Sequence, residues 1–266
     1  VARDIIDDRL IGALHLRAMT RSGLDHDPLA EHTAIQAGTL AALMAGGYEG
    51  DATLAEVLRL GDLGIGTIQQ LGGELIVLDG ECWLIEADGT VIAVDSSIKT
   101  PFAVVCAFRG DTTAELGEAM LLADLSAMSI MLAPARAPVL AIRLHGSFVD
   151  LHLRSVARQS PPYVPLDEVV AHQTTFQVAA AVGTLVGFHF PDASAGIEVP
   201  GFHFHFISDD RTVGGHVIDA TAVDGLLEID GCDELHVELP AGVSLGTPGA
   251  ADRAQIERIE GAGAAG

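Results

Sequence analysis

Hydrophobic and polar positions recur along this chain in two rhythms, and each predicts a different element. From Glu74 to Asp95 short apolar runs are broken by Asp-Gly: "ELIVLDG", "CWLIEADG" and "TVIAVD". Asp-Gly supplies the positive φ that tight hairpin turns require, so these runs are predicted strands. "PFAVVCAF", from Pro101 to Phe108, is predicted as another. The helical rhythm opens at Thr39 in "TLAALMAGG", which Gly46 and Gly47 stop. It returns in "TLAEVLRLG", where Thr53 and Glu56 have the spacing of a capping box. Apolar residues at Leu116, Met120, Leu121 and Leu125 predict a longer helix within Thr113 to Met128.

Beyond that helix the strand rhythm dominates. "VLAIRLHGSFVDLHLRSV" reads as two strands, or as one long strand bent at Gly146. The loop "RQSPPYVPL" holds Pro161, Pro162 and Pro165 and is the best candidate for a boundary. After it "LDEVVAHQ" is predicted helical. "TTFQVAAAVGTLVGFHF", "GFHFHFIS", "GGHVIDATAV" and "DELHVELP" are predicted strands. The tail "AADRAQIERIEGAGAAG" reads as a short helix running into a flexible end. Up to about Glu31 the periodicity is weak. The expected class is α+β: two mixed-sheet α/β halves, residues 1–160 and 161–266, with no repeat at a fixed period.

Composition narrows the function classes. Of 266 residues 49% are apolar, enough for a sizeable core and against extended disorder. The most apolar stretch, Met128 to Ile142, is interrupted by Pro134, Arg136 and Pro138 and does not read as a membrane span. The first residues carry acids and no apolar leader core. A net charge of −23 repels phosphate backbones and anionic membranes, so neither nucleic acid nor membrane is an expected partner. Lys99 is the sole lysine, which fits either salt adaptation or a biased genome. Cys82, Cys106 and Cys232 are odd in number, widely spaced and without a CxxC, so isolated buried thiols in a reducing compartment are expected. The expected location is cytoplasmic, with a removed leader left open.

The candidate chemistry sits in "GFHFHF" and "GGHVID". Strand alternation puts His203 and His205 on one face and Phe202, Phe204 and Phe206 on the other. The polar turn "SDDRTVGG" then brings the next strand, and His216 near its start, alongside. Three imidazoles converging from adjacent strands match a metal site with open positions, which suits zinc and also iron or manganese. The competing reading is histidines satisfied in a core or at a surface. His189 echoes the motif imperfectly; His145, His152, His172 and His236 are isolated and receive no role. Glu74 alone reads as an exposed acid at a strand end. Arg143 and Arg154 lie in a strand region, where burial demands an anion. Acids of this chain would serve, or a bound carboxylate.

At these residues the chain resembles the alpha-acetolactate decarboxylase family. "TLAALMAGGYEGDATLAEVLRLGDLGIGT" is similar to the family's N-terminal block; "GGELIVLDG" and "TPFAVVCAF" are similar to the next two. "IRLHGSFVDLHLRSVARQSPPYVPL" resembles its arginine block, and "GTLVGFHFPDASAGIEVPGFHFHFISDDRTVGGHVID" its metal block. Together they cover most of residues 35 to 220. Two positions depart: Gly72-Gly73 stands where the family usually has Asp-Gly, and Ile68 where it has an aromatic. Both bear on pocket shape.

The resemblance implies that His203, His205 and His216 hold a metal, usually Zn2+, with no organic cofactor. It implies that Glu74 and Arg154 face the substrate, with Thr67 beside them, and that a C-terminal glutamate reaches back into the site. Glu260 is favoured over Glu257 for that role. The implied activity is metal-dependent decarboxylation of 2-acetolactate, a 2-hydroxy-3-keto acid, to (R)-acetoin and CO2 in acetoin and 2,3-butanediol formation. The implied assembly is a homodimer. The alternatives are a cupin-like metal oxygenase, with Asp209 four residues past His205, a zinc hydrolase on the same ligands, or a metal-dependent sensor.

Overall fold

A computed structural model of the chain describes residues 5–11, 13–20, 31–134 and 137–239, with Leu245, Gln255, Ile256 and Ile259. Its elements begin with β1 (Ile5–Ile11), β2 (Leu14–Thr20), β3 (Thr33–Ala37), α1 (Leu40–Met44), β4 (Ala52–Thr53) and α2 (Leu54–Leu58). Next come β5 (Leu63–Thr67), β6 (Glu74–Leu78), β7 (Glu81–Ile85), β8 (Val91–Ala93), β9 (Lys99–Thr100) and β10 (Phe102–Cys106). β11 (Thr112–Leu116), β12 (Met120–Leu121), α3 (Leu122–Leu132), β13 (Val139–Ser155) and α4 (Leu166–Val170) follow. The last are β14 (Thr174–Phe190), β15 (Gly201–Ser208), β16 (Gly214–Cys232) and β17 (Glu234–Leu239).

Nine strands form one sheet in the order β1-β2-β17-β3-β10-β5-β6-β7-β8. A six-stranded sheet runs β11-β16-β13-β14-β15, with β12 also on β16. Because β15 pairs with β16 as well, β13, β14, β15 and β16 close into a circuit. The central strands of the larger sheet are buried on both faces, which explains their unbroken apolar runs. In β6, Ile76 and Leu78 face the six-stranded sheet, while Leu75 and Val77 face α2. On the far face of the six-stranded sheet, Leu125 of α3 packs against Ile142 and Leu227. Helices α1 and α4 share a further cluster with Ile256 and Ile259 from the C-terminal segment.

Local signals fold as expected. Asp79 and Gly80 take positive φ, 52° and 76°, at the β6–β7 turn. The capping box of α2 is complete: the Glu56 N–H donates to Thr53 Oγ1 at 3.3 Å, and the Thr53 N–H donates to Glu56 Oε2 at 2.7 Å. Replacing Thr53 by Ala is therefore expected to remove about 1 kcal/mol of stability. A thermal melt should show the midpoint falling by roughly 2–4 °C.

Several expectations are corrected. The chain is mostly sheet with few, short helices. The predicted helix of Thr113 to Met128 starts only at Leu122. Before it, Thr112 to Leu116 pair with β16 as an edge strand, to which the threonines are suited. Val139 to Ser155 form one long strand, one of the two readings expected. The proline loop near residue 160 does not mark a change of sheet, since β13 and β14 on either side of it pair with each other from end to end. The chain changes sheet between β10 and β11, and again after β16, where β17 inserts between β2 and β3. Nor are all three buried thiols isolated: Cys106 contacts Cys232, and this hydrogen bond together with burial holds the Cys106 pKa well above the usual thiol value. Among the described residues no helix is long and apolar enough to cross a membrane.

Candidate active site

The alternation in β15 does what its pattern predicts. Phe204 and Phe206 are buried, and Phe202 packs on the same cluster from a half-buried position. Room for Phe204 comes from Gly187 opposite it, where an added Cβ would lie 2.2 Å from the ring. The turn through Asp209 and Asp210 sets the register that places His216 opposite His205. On its other side His216 is opposite Arg154 of β13, so β15, β16 and β13 carry a row of three candidate residues.

His203 Nε2 lies 3.1 Å from both His205 Nε2 and His216 Nδ1. One ring nitrogen from each of the three histidines falls within 4.8 Å of the others. His205 is 0% exposed, and its Nδ1 lies 3.0 Å from the Leu75 carbonyl oxygen. A carbonyl only accepts, so the ring proton sits on Nδ1 and the lone pair of Nε2 faces the cluster. Burial, with the Arg154 charge adding to it, lowers the His203 pKa to about 3. Burial first, then His203, moves His205 in the same direction. Both rings are thus neutral at neutral pH, the form that binds a cation.

Glu74 opens β6 directly after Gly73, whose φ of 120° and close approach to the Ile85 oxygen (2.3 Å from an added Cβ) only glycine tolerates. Its side chain is 12% exposed, with Oε2 3.5 Å from His205 Nε2, so it is not an exposed strand-end acid. Thr67 is opposite Glu74 in the β5–β6 register. Its hydroxyl donates to the Gly73 carbonyl at 2.7 Å, and its own carbonyl accepts from Thr100 Oγ1 at 2.6 Å. Thr67, Glu74, Arg154, His203 and His216 line one cavity. Its apolar wall includes Leu40 and Leu43 of α1, Leu166 and Val170 of α4, and Ile259. Glu257 and Glu260 lie outside the described residues, although Ile259 between them reaches the cavity.

A sequence model of alpha-acetolactate decarboxylase matches residues 35–245. The chain belongs to the alpha-acetolactate decarboxylase family. The alpha-acetolactate decarboxylase of Methylococcus capsulatus is 37% identical over 237 residues, covering 88% of this chain and 90% of that protein. That of Bacillus subtilis strain 168 is 37% identical over 205 residues, covering 77% and 80%. A crystal structure of the enzyme from the same Bacillus subtilis strain superposes with a TM-score of 0.81 at 35% identity, covering 86% of this chain and 99% of that one. The resemblance read from the sequence is borne out, and family membership makes the chain a carboxy-lyase. The oxygenase and sensor alternatives are not favoured.

The remaining candidates of the decarboxylase sort by position. Arg143 pairs with acids, Glu228 at 2.6 Å and Asp79 at 3.0 Å, and lies over the Phe108 ring. Arg154, only 4% exposed, lines the cavity, with Nη2 3.1 Å from His216 Nε2. Asp209 contacts His145 on the surface and is not in the cluster. His189 packs on Phe202 with the rings tilted and their centroids 4.6 Å apart. Ile68 packs behind the larger sheet with Leu75 and Val77, away from the cavity lining. One partner escaped the sequence reading: Gln173 Oε1 accepts from Arg154 Nη1 at 2.9 Å. A single polar residue between a helix and a strand carries no motif.

Proposed function

We propose that this cavity performs metal-assisted decarboxylation of 2-acetolactate to (R)-acetoin and CO2, with Zn2+ on His203, His205 and His216. The observation that carries the reading is the convergence of three imidazoles beside Glu74 and Arg154. Ligand atoms about 2.0–2.1 Å from one ion stand roughly 3.0–3.4 Å apart, and the two 3.1 Å separations around His203 fit that set. For His205 the donor chemistry fits as well, because imidazole suits zinc and the Leu75 carbonyl orients this ring from behind. When bound, the ion supplies Lewis-acid stabilisation of negative charge on the substrate oxygens.

The protein's own groups then have separate tasks. Arg154 orients the substrate carboxylate, with Thr67 lining the same wall. The bond from the carboxyl carbon to C2 breaks, CO2 leaves, and the electron pair stays on C2, delocalised towards the ketone oxygen. Holding the carboxylate too tightly would stabilise the ground state, so the arginine acts mainly through position. The apolar wall takes the methyl groups and keeps water from the carbanionic carbon. Glu74, with Glu260 as the second acid, delivers a proton to one face of C2, giving one enantiomer of acetoin. No thiamine or pyridoxal is required, because the ketone already serves as electron sink.

The supporting context is the family and the charge of −23, which disfavours nucleic acid and anionic membranes. On that basis the enzyme acts as a cytoplasmic homodimer in acetoin and 2,3-butanediol formation. The test is incubation of zinc-loaded protein with racemic 2-acetolactate under nitrogen, without organic cofactors. CO2 and acetoin in equal amounts, with the R enantiomer in excess on a chiral column, are expected. A requirement for oxygen, or absence of acetoin from folded, zinc-loaded protein, would overturn the assignment.

A further inference from the structure

We propose that Gln173 is a positioning residue for Arg154, one that holds the guanidinium in the cavity through an uncharged acceptor. The proposal rests on the reading of Arg154 as the group that orients the substrate carboxylate.

The placement follows from strand register. Arg154 is opposite Thr175 in the β13–β14 ladder. Gln173 lies two residues before Thr175, the diagonal position that a long side chain can reach across. Its backbone is tied to the end of α4, since its N–H donates to the Val170 carbonyl at 3.0 Å. α4 in turn puts Leu166 and Val170 on the cavity wall. The acceptor that meets Arg154 Nη1 at 2.9 Å is therefore carried by an element built into the site. A guanidinium has donors only, so the facing atom of Gln173 is its oxygen.

The chemistry of that acceptor matters. A carboxylate would hold an arginine more strongly, because charge-assisted bonds are shorter and stronger than neutral ones. This chain has 37 acidic residues against 14 Lys and Arg, so carboxylates are abundant. At this position it uses an amide instead. A carboxylate here would place a second negative charge beside the one that the substrate brings, in a partly buried site where such charges repel strongly. The amide holds the Nη1 arm of the fork and adds no charge to it, while Nη2 lies 3.1 Å from His216 Nε2. Gln173 thereby favours an anionic ligand without touching it.

The experiment compares Gln173→Glu, Gln173→Met and Arg154→Ala with the parent zinc-loaded enzyme. It reads kcat and KM for 2-acetolactate, inhibition by acetoin, which is the neutral product, zinc content and Tm. Gln173→Glu keeps the shape and strengthens the bond to Arg154. It is expected to raise KM about tenfold or more, with acetoin inhibition, zinc content and Tm unchanged. Gln173→Met fills the same space with no acceptor and is expected to lower kcat/KM several-fold, also without loss of zinc. If Gln173 merely braced the fold, Gln173→Glu would match the parent; a KM within twofold of the parent would overturn the proposal. Parent-like kinetics in Gln173→Met would overturn it as well. Parent-like kinetics in Arg154→Ala would overturn the reading of Arg154, and this proposal with it. Impaired Arg154→Ala beside parent-like Gln173 variants would remove the proposal alone.

Discussion

His205→Ala is expected to lose bound zinc and turnover together. His205 is the most deeply buried of the three histidines, and the Leu75 carbonyl has already committed its Nε2 to the cluster. Removing a ring that only orients a ligand costs roughly 10–100-fold in metal affinity or activity. Removing a ligand itself should exceed that, to about a thousandfold or more in kcat/KM. Two imidazoles would remain, too few for a closed protein site on zinc. The substitution also empties the space of a buried side chain, so some loss of Tm is expected and must be separated from loss of metal. Chelation separates them. Parent enzyme stripped by a chelator should recover activity when zinc is added back, whereas folded His205→Ala should not at the same zinc concentration. One zinc per chain in that variant, measured by atomic absorption after desalting, would remove His205 from the ligand set.

The histidines were legible in the sequence because every relation that joins them is local. His203 and His205 are related by strand period, and His216 lies one short hairpin away, opposite His205. The same locality made the Asp79-Gly80 turn and the Thr53 capping box readable. What the sequence withheld depends on partners far along the chain. The contact of His205 with Leu75 spans 130 residues, and the approach of Glu74 to His205, which takes that acid off an exposed strand end, spans one more. β17 enters the larger sheet in parallel with β2 and β3, a pairing no turn signal announces. The N-terminal hairpin of β1 and β2 shows weak periodicity for a related reason: an edge strand such as Ile5–Ile11 can carry Asp7, Asp8 and Arg9 in succession without burying them. Thr113 to Leu116 misled because Leu116 continues the helical spacing of Met120, Leu121 and Leu125, while the edge of β16 decided for a strand.

Glu74→Gln should separate proton delivery from metal binding. The change keeps the length and shape of the side chain, and Gly73 still sets the backbone that aims it. An amide can donate a hydrogen bond, but it cannot hand over a proton and take it back. General acid catalysis by one positioned group contributes about 10²–10⁴-fold, so kcat is expected to fall within that range. Zinc content should stay at the parent level, because the ion is assigned to the three histidines. The residual product carries the sharper information. If Glu74 delivers the proton from one side of C2, its loss leaves solvent to do so from either side, and the enantiomeric excess of acetoin should drop with kcat. Lost zinc would instead make Glu74 a ligand, which its 3.5 Å approach to His205 Nε2 would then explain. Full kcat with unchanged enantiomeric excess would transfer the role to the C-terminal acid, and Glu260→Gln would be the variant that shows the loss.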